Sequence, residues 1–236
     1  MDYPRNRGYD AVHLRKNADR QVGVYSYWIS GFGSAHCMGG FKDLIPELCT
    51  KEFCGMRALI INCSPVRTGA TAEIVKLVSE QLSNKYSVKS ICIDDYVFAF
   101  CRGCRSCHNM AKCVMSDAGV IENIMNEYDE ADIIVSVSPS YWADIPGQFK
   151  AFIDRCTPWC NTHEPHATIK PGKKGFTIAL RTGPNMPECE RIIGSIEHFY
   201  GHLEIESVGH LGLTSIEYKA DVESRKQEII EFCKNI

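Results

Sequence analysis

From Met56 onward, short apolar runs of strand type alternate with segments of helical periodicity, and this alternation constrains the fold most. The runs are rich in Ile, Val and Leu, which is typical of strands buried on both faces of a parallel sheet. They are 57–63, 86–93, 132–138, 174–180 and 203–211. Helical patterns begin near Thr71, Asp117, Pro146, Pro187 and Ala220. The pattern predicts an α/β fold: a doubly wound, five-stranded parallel sheet in the order 2-1-3-4-5, with helices on both faces.

The helical pattern after Asp117 has one apolar face. Asp117 precedes it as a candidate N-cap, because a carboxylate at that position accepts hydrogen bonds from the first backbone N–H groups. The residues that share the face are Val120, Ile121, Ile124, Met125 and Tyr128.

Residues 1–55 do not continue the alternation. They contain a Gly-rich run, 31–40, in which His36 replaces the third glycine of a dinucleotide-binding fingerprint, so that motif is rejected. We predict an N-terminal extension of uncertain structure at 1–55 and one domain at 56–236. For the extension, a partly disordered arm, an oligomer-clasping segment and an upstream mis-assigned start codon stay open.

Composition excludes several function classes. The chain has 236 residues with 44% hydrophobic and 23% charged side chains, as ordinary globular proteins do. Its net charge of -3 argues against nucleic-acid binding, and no apolar run reaches the roughly 18 residues of a membrane-spanning helix. The N-terminus shows no apolar secretory signal, so the 13 cysteines indicate metal or redox chemistry. We therefore expect a cytoplasmic protein with reduced thiols.

The segment 64–71, SPVRTGAT, joins the first strand to the first helix. Backbone N–H groups at a helix start favour an anion, and the hydroxyls of Ser64, Thr68 and Thr71 and the guanidinium of Arg67 add donors. The Gly-Lys-Ser/Thr ending of a Walker A loop is absent. The alternative is an ordinary N-cap with a solvated loop. The segment predicts a phosphate site for a bound cofactor.

Two more loops follow strands at the same edge of the predicted sheet. After the third strand, Pro139 is followed by Tyr141 and Trp142, whose rings suit a flat, amphipathic ligand, unless they pack on a neighbouring subunit. The fourth strand ends in RTGPN, where Gly183 allows close backbone approach.

The loop 94–116 contains a C-x2-C-x2-C-x5-C run. Four thiolates from one compact loop can hold a [4Fe-4S] cluster, whereas structural zinc more often takes two separated C-x2-C pairs. Nearby lysine and arginine side chains, without an acid from 96 to 116, favour an anionic site. Free thiols and zinc are the alternatives, and a thiol–disulfide couple is disfavoured inside a loop. The candidate metal ligands are Cys101, Cys104, Cys107 and Cys113.

Three segments, in this order and spacing, resemble the NAD(P)H-dependent FMN reductase and iron–sulfur flavoprotein group of the flavodoxin-like superfamily. They are SPVRTGAT, SPSYWADIPGQFKAFIDR and RTGP, and the resemblance extends over roughly 56–236. It implies a flavodoxin-like fold and an FMN phosphate held by Ser64, Arg67, Thr68, Ala70 and Thr71. It implies an isoalloxazine cradled by Pro139, Ser140, Tyr141 and Trp142, with contributions from Thr182 and Gly183. The compact cysteine spacing resembles that of the iron–sulfur flavoproteins.

The sequence departs from the family pattern at Cys63, Val66 and Ala70, which puts side-chain contacts in doubt more than backbone ones. The resemblance implies an FMN-dependent oxidoreductase with NAD(P)H as donor, a ferredoxin-like protein as partner of the cluster, and a homodimer or homotetramer. Alternatives are a flavin-only NAD(P)H:acceptor reductase, a flavodoxin-like electron carrier without turnover, and a zinc-stabilised interaction domain. No side chain is assigned a catalytic proton transfer.

Two further patterns are interpreted as having no function. Adjacent Asp94 and Asp95 are expected to point to opposite faces of a solvated turn. A C-x3-C-x2-H-x2-H pattern resembles a metal site but falls in a proline-containing loop, so a solvated loop is preferred. Its members are Cys156, Cys160, His163 and His166.

Overall fold

The structure, a computed structural model, describes residues 55–236, so the extension predicted at 1–55 lies outside the described residues except for Gly55. In these residues five parallel strands form one sheet in the order β2-β1-β3-β4-β5, which confirms the predicted order. The strands are β1 (Arg57–Asn62), β2 (Ser87–Cys92), β3 (Ile133–Pro139), β4 (Lys174–Leu180) and β5 (Glu206–Leu213).

Within the described part of the chain, six α-helices connect and follow the strands. They are α1 (Ala70–Leu82), α2 (Ser106–Met110), α3 (Ala118–Glu130), α4 (Gly147–Arg155), α5 (Met186–His202) and α6 (Lys226–Lys234). Short 3-10 helices occupy Ile93–Asp95, Thr157–Trp159 and Lys219–Arg225. The last of these explains why α6 begins six residues after the predicted start near Ala220.

The start of β5 is the largest boundary error among the strands. The run 203–211 is apolar at both ends, but Leu203 and Ile205 donate backbone hydrogen bonds to Tyr200 O and complete the end of α5. Between them Glu204 adopts a left-handed conformation, φ 59°, which turns the chain into the strand. Pairing therefore begins at Glu206.

The sheet is buried on both faces. In β1, Leu59 and Ile61 pack under α3, α4 and α5, whereas Ala58 and Ile60 pack under α1 and α6. Successive side chains of a strand point to opposite faces, and a strand with both faces covered is apolar throughout. This is the physical basis of the uninterrupted apolar runs in the sequence.

One close contact between β4 and α5 gives a test of this packing. The Tyr200 hydroxyl donates to Ser136 Oγ at 2.7 Å, and the buried ring lies over Gly175, where an added Cβ would be 2.5 Å from Tyr200 Cδ2. Because the hydrogen bond fixes the ring in place, the ring cannot move aside for an added methyl group. We therefore expect Gly175→Ala to lower the free energy of unfolding by about 1–3 kcal/mol. Urea denaturation measures the change.

The matched control is Gly194→Ala in α5, where an added Cβ meets nothing within 4 Å. Because glycine disfavours a helix interior, this variant should instead be more stable by about 0.5–1 kcal/mol. Equal effects of the two substitutions would contradict the packing described for Tyr200.

Candidate functional site

The carboxyl ends of β1, β3 and β4 are neighbours in the sheet, so the loops that follow them meet at one edge. Backbone hydrogen bonds join them: Cys63 N donates to Val137 O at 3.0 Å, and Ser140 N donates to Leu180 O at 2.8 Å. The three predicted binding loops are therefore adjacent.

The first loop is a tight turn that leads into α1. Ser64 N donates to Asn62 Oδ1 at 3.0 Å, and Val66 N donates to the buried Ser64 Oγ at 3.0 Å. Gly69 precedes the helix and provides no side-chain cap, so the first backbone N–H groups of α1 are left for an anion. Ala70 and Thr71 are buried in this first turn, and Thr68 is exposed beside it.

Arg67, a predicted phosphate ligand, is held by two acids. Its guanidinium lies 3.2 Å from Asp94 Oδ2 and 2.7 Å from Asp95 Oδ1, and it also donates to Asp94 O at 2.9 Å. The interpretation that Asp94 and Asp95 point to opposite faces is therefore wrong, because the 3-10 helix turns both carboxylates toward one cation. More than half of the Arg67 side chain is exposed, so water weakens its ion pairs and another anion can replace the two carboxylates.

Of the departures from the family pattern, Cys63 is fully buried in the core under the α3–α4–α5 face. Its backbone N–H donates to Val137 O of β3, and its side chain is buried and not exposed at the loop surface. Val66 is exposed at the turn, where its Cγ1 would be 3.1 Å from a Cβ added at Gly69. The glycine thus allows Val66 to pack against the start of α1.

The second loop is a strained hairpin-like turn. Tyr141 and Asp144 exchange both backbone hydrogen bonds, at 2.8 and 3.1 Å, around Trp142 and Ala143, whose φ angles are 54° and 60°. Two consecutive left-handed residues define a type I′ turn, which glycine or asparagine normally occupies. The Trp142 side chain is fully exposed and Tyr141 is partly exposed. A backbone turn that is strained and exposes two aromatic rings to solvent indicates a binding function.

The third loop joins the second through Glu188, in the first turn of α5. The Glu188 carboxylate forms an ion pair with Arg181 Nη1 at 2.8 Å and accepts a hydrogen bond from the Ser140 hydroxyl. The Arg181 guanidinium covers Gly183, where an added Cβ would collide with Nη2. Pro139 is the last residue of β3, and Thr182 lies two residues after the end of β4. Sequence reasoning did not assign Arg181 and Glu188, because an ion pair between a strand end and a helix start has no local pattern.

The cysteine loop lies between β2 and α3 and contains the short helix α2. Its four candidate ligands line one small cavity of about 30 Å³: Cys101, Cys104, Cys107 and Cys113. Left-handed conformations at Gly103 and Arg105 wrap the chain around this cavity, and Gly103 N donates to Cys101 Sγ at 3.4 Å.

The thiols influence one another electrostatically. Burial raises the pKa of the Cys107 thiol, and the charges of Cys101, Cys104 and Cys113 raise it further. Hydrogen bonds from Ser106 lower the pKa of Cys104. Adjacent thiolates repel one another, and a cationic metal group would relieve that repulsion.

These residues fit an iron–sulfur cluster in donor chemistry. All four cysteines line one cavity, and the backbone N–H of Gly103 donates to Cys101 Sγ. However, among residues 55–236 no three Cys, His, Asp or Glu side chains stand in a metal-ligating arrangement. The loop therefore provides the ligand set, and cluster ligation would require the sulfurs to adjust.

Asp117 precedes α3 as predicted, but its carboxylate does not cap the helix. It forms an ion pair with the buried Arg155 of α4 at 2.8 Å and accepts a hydrogen bond from Ala99 N at 2.5 Å. Arg155 also donates to Ala99 O and, at 3.6 Å, to Cys113 Sγ. The pair fastens both ends of the cysteine loop to the core, and no sequence pattern indicated it.

This ion pair predicts a pH dependence of stability. The Arg155 guanidinium and the Ala99 N–H lower the pKa of Asp117 from 3.8 to about 2. A carboxyl group with a depressed pKa stabilises the fold above its unfolded-state pKa, and this contribution is lost as the pH falls through the folded-state value. Urea denaturation at about pH 5 and about pH 2.5 measures how much the free energy of unfolding falls between the two pH values. This fall should be smaller for Asp117→Asn than for wild type. Equal losses would contradict the assignment.

The pattern Cys156, Cys160, His163 and His166 is not gathered into one site. Cys156 is buried in the core, 3.7 Å from Met125 Sδ, whereas His163 stacks on His108 with ring centroids 4.3 Å apart. Cys160 lies within hydrogen-bonding distance of Thr162 Oγ1, at 3.0 Å.

Residues 56–184 match the model of a family described as NADPH-dependent FMN reductase. The chain belongs to this family. The match includes β1, β3 and β4 and therefore all three loops of the sheet edge, together with the cysteine loop.

Relatives of two kinds are similar to this chain. An iron-sulfur flavoprotein of Archaeoglobus fulgidus is 30% identical over 134 residues, 56% of this chain and 58% of the relative. Another, from Clostridioides difficile, is 29% identical over 99 residues, 41% of this chain and 44% of the relative. An FMN-dependent NADH:quinone oxidoreductase of Chromobacterium violaceum is 28% identical over 106 residues, 43% of this chain and 50% of the relative. The chain thus spans about half the length of these relatives.

Solved structures share the fold. The protein Smu.1420 from Streptococcus mutans UA159 aligns with a TM-score of 0.59 and 21% identity, covering 77% of this chain and all of that one. An FMN-dependent NADH-azoreductase from Bacillus anthracis, in complex with FMN, aligns with a TM-score of 0.58 and 15% identity, covering 76% of this chain and 98% of that one. The architecture is flavodoxin-like, as predicted. Within 55–236 no helix is long and apolar enough to cross a membrane.

Proposed function

We propose that this protein is an FMN-dependent oxidoreductase that takes reducing equivalents from NAD(P)H. The observation that carries the proposal is the meeting of three different loops at adjacent strand ends. One provides the N-terminus of α1, one a strained turn that displays Trp142, and one the Arg181–Glu188 ion pair beside Gly183. An anion site beside an aromatic turn has the polarity of a flavin mononucleotide, which is charged at one end and flat at the other.

In this proposal the first loop holds the phosphate. The N–H groups of α1 and the hydroxyls of Ser64, Thr68 and Thr71 donate to it, and the buried Ala70 keeps the helix start tightly packed. Arg67 adds a charged donor after exchanging Asp94 and Asp95 for the phosphate.

The second and third loops orient the ring system. Pro139 and Ser140 provide the rigid strand end, and Tyr141 and Trp142 cover an aromatic face and exclude water from it. Thr182 and Gly183 contribute from the third loop, where Thr182 is exposed. When bound, FMN supplies hydride acceptance from NAD(P)H and single-electron transfer. The residues of this chain bind and orient, and the proposal assigns none of them a proton transfer.

A binding titration tests the proposal. FMN and riboflavin share the ring system, but only FMN carries the phosphate. Fluorescence titration should give an affinity for FMN at least about 100-fold higher than for riboflavin, about 2.8 kcal/mol, because the phosphate adds charge-assisted hydrogen bonds. Equal affinities for FMN and riboflavin, or no binding of either, would contradict the proposed phosphate site.

We further propose that Cys101, Cys104, Cys107 and Cys113 hold a [4Fe-4S] cluster that exchanges single electrons with a ferredoxin-like protein. The common cavity of the four thiols supports this, as do the names of the relatives from Archaeoglobus fulgidus and Clostridioides difficile. Analysis of iron and acid-labile sulfide in protein purified without oxygen tests it.

A flavin-only NAD(P)H:quinone reductase is the second candidate. The name of the Chromobacterium violaceum relative favours it, as does the lack of a preformed metal-ligating arrangement within residues 55–236. FMN binding without iron would select this candidate. The proposal also includes a homodimer or homotetramer, a cytoplasmic location and a separate extension at 1–55.

A further inference from the structure

Arg155, the last residue of α4, is a buried cation whose role the binding loops do not explain. Its side chain is 1% exposed, although a charged group is costly to bury without partners. Its Nη1 donates to Ala99 O at 2.7 Å, and its Nη2 donates to Asp117 Oδ1 at 2.8 Å and to Cys113 Sγ at 3.6 Å. Its Nε is buried and has no hydrogen-bond partner among residues 55–236.

The location of Arg155 distinguishes it from the other cations near the thiols. It lines the same small cavity as the four cysteines, and it projects from a helix packed on the sheet. Arg102, Arg105 and Lys112 lie on the loop itself and are exposed, so water screens their charges. Arg155 contacts a sulfur, and its ion-pair partner Asp117 does not line the cavity, so the positive end of the buried ion pair faces the thiols.

We propose that Arg155 is a positioning residue that donates a hydrogen bond to the Cys113 sulfur and raises the reduction potential of the cluster. The inference rests on the cluster proposed above. A cluster held by these cysteines would accept one electron from a one-electron donor, such as a ferredoxin-like protein, and its charge would become more negative by one. A buried cation stabilises the more negative state more strongly, and hydrogen bonds to cluster sulfurs act in the same direction.

A purely structural role would affect only the assembly of the site. Arg155 also fastens Ala99 and Asp117, so its loss could loosen the loop without any electrostatic effect on the cluster. The test must therefore separate the iron content of the protein from the potential of the cluster.

The experiment compares holoproteins purified without oxygen, by iron analysis and by a redox titration followed by electron paramagnetic resonance. Arg155→Met is combined with Asp117→Asn, so that no buried charge is left unpaired. Arg155→Lys keeps the charge but loses the fork that reaches Asp117 and Cys113 together. Lys112→Met is the matched control, because it removes an exposed cation from the same loop.

We expect the double variant to keep its iron. Its equilibrium constant for one-electron reduction should be about tenfold lower than that of wild type, which is a shift of about 59 mV to lower potential. The reduction potential should fall by less in Arg155→Lys and by the smallest amount in Lys112→Met. Full iron with the wild-type potential in the double variant would overturn the inference. Loss of iron from both Arg155 variants would also overturn it, in favour of a structural anchor. Wild-type protein without iron would instead refute the cluster itself.

Discussion

A Thr68→Asp variant is expected to bind FMN at least about 100-fold more weakly than wild type, a loss of about 2.8 kcal/mol. Thr68 is exposed in the first loop, directly before the N-terminus of α1. A carboxylate there repels the phosphate and competes with it for the helix N-terminus. The same carboxylate is favourable for the helix itself, so the fold should tolerate the change.

The matched control is Ser83→Asp, which adds the same charge at the exposed C-cap of the same helix. Fluorescence titration with FMN should return the wild-type affinity for this variant. If both variants bind FMN equally well, the phosphate does not lie at the start of α1, and the assignment of 64–71 fails.

Cys104→Ala is expected to remove the iron and acid-labile sulfide of the protein while leaving its FMN in place. The Cys104 side chain is exposed, so its loss costs little packing, and hydrogen bonds from Ser106 favour its thiolate form. A [4Fe-4S] cluster that loses one of four thiolate ligands is expected to be lost or strongly depleted. Iron, sulfide and flavin are measured in the same anaerobic preparation.

Cys160→Ser is the control for this substitution, because Cys160 is a partly exposed cysteine that does not line the cavity of the four thiols. It should retain both cofactors. An iron content that is unchanged by Cys104→Ala, or reduced equally by Cys160→Ser, would contradict the ligand assignment.

The sheet could be predicted because its strands are short and apolar on both faces. Ala58, Leu59, Ile60 and Ile61 are all buried, two under each helical layer, so the run is recognisable without knowledge of its partners. Boundaries were less certain where an apolar residue serves another element. Leu203 extends the strand pattern of β5 but packs at the end of α5.

The site was only partly predictable, for a related reason. Loops at 64–71 and 139–142 follow strands directly, so their place at the carboxyl edge follows from the fold. The contacts of Arg67 with Asp94, and of Arg155 with Asp117 and Cys113, join residues 27 to 42 positions apart. Such pairs have no periodic signal, and only the folded chain brings them together.

The measurement that tests the central claim most directly is the absorption spectrum of the FMN-loaded protein without oxygen, before and after NADPH or NADH is added. We expect the visible flavin bands to be present before addition and to bleach afterwards, with re-oxidation when an acceptor is supplied. Bound flavin that neither pyridine nucleotide bleaches would contradict the proposed reductase and favour an electron carrier. A protein that takes up no FMN at all would contradict the account of the sheet edge.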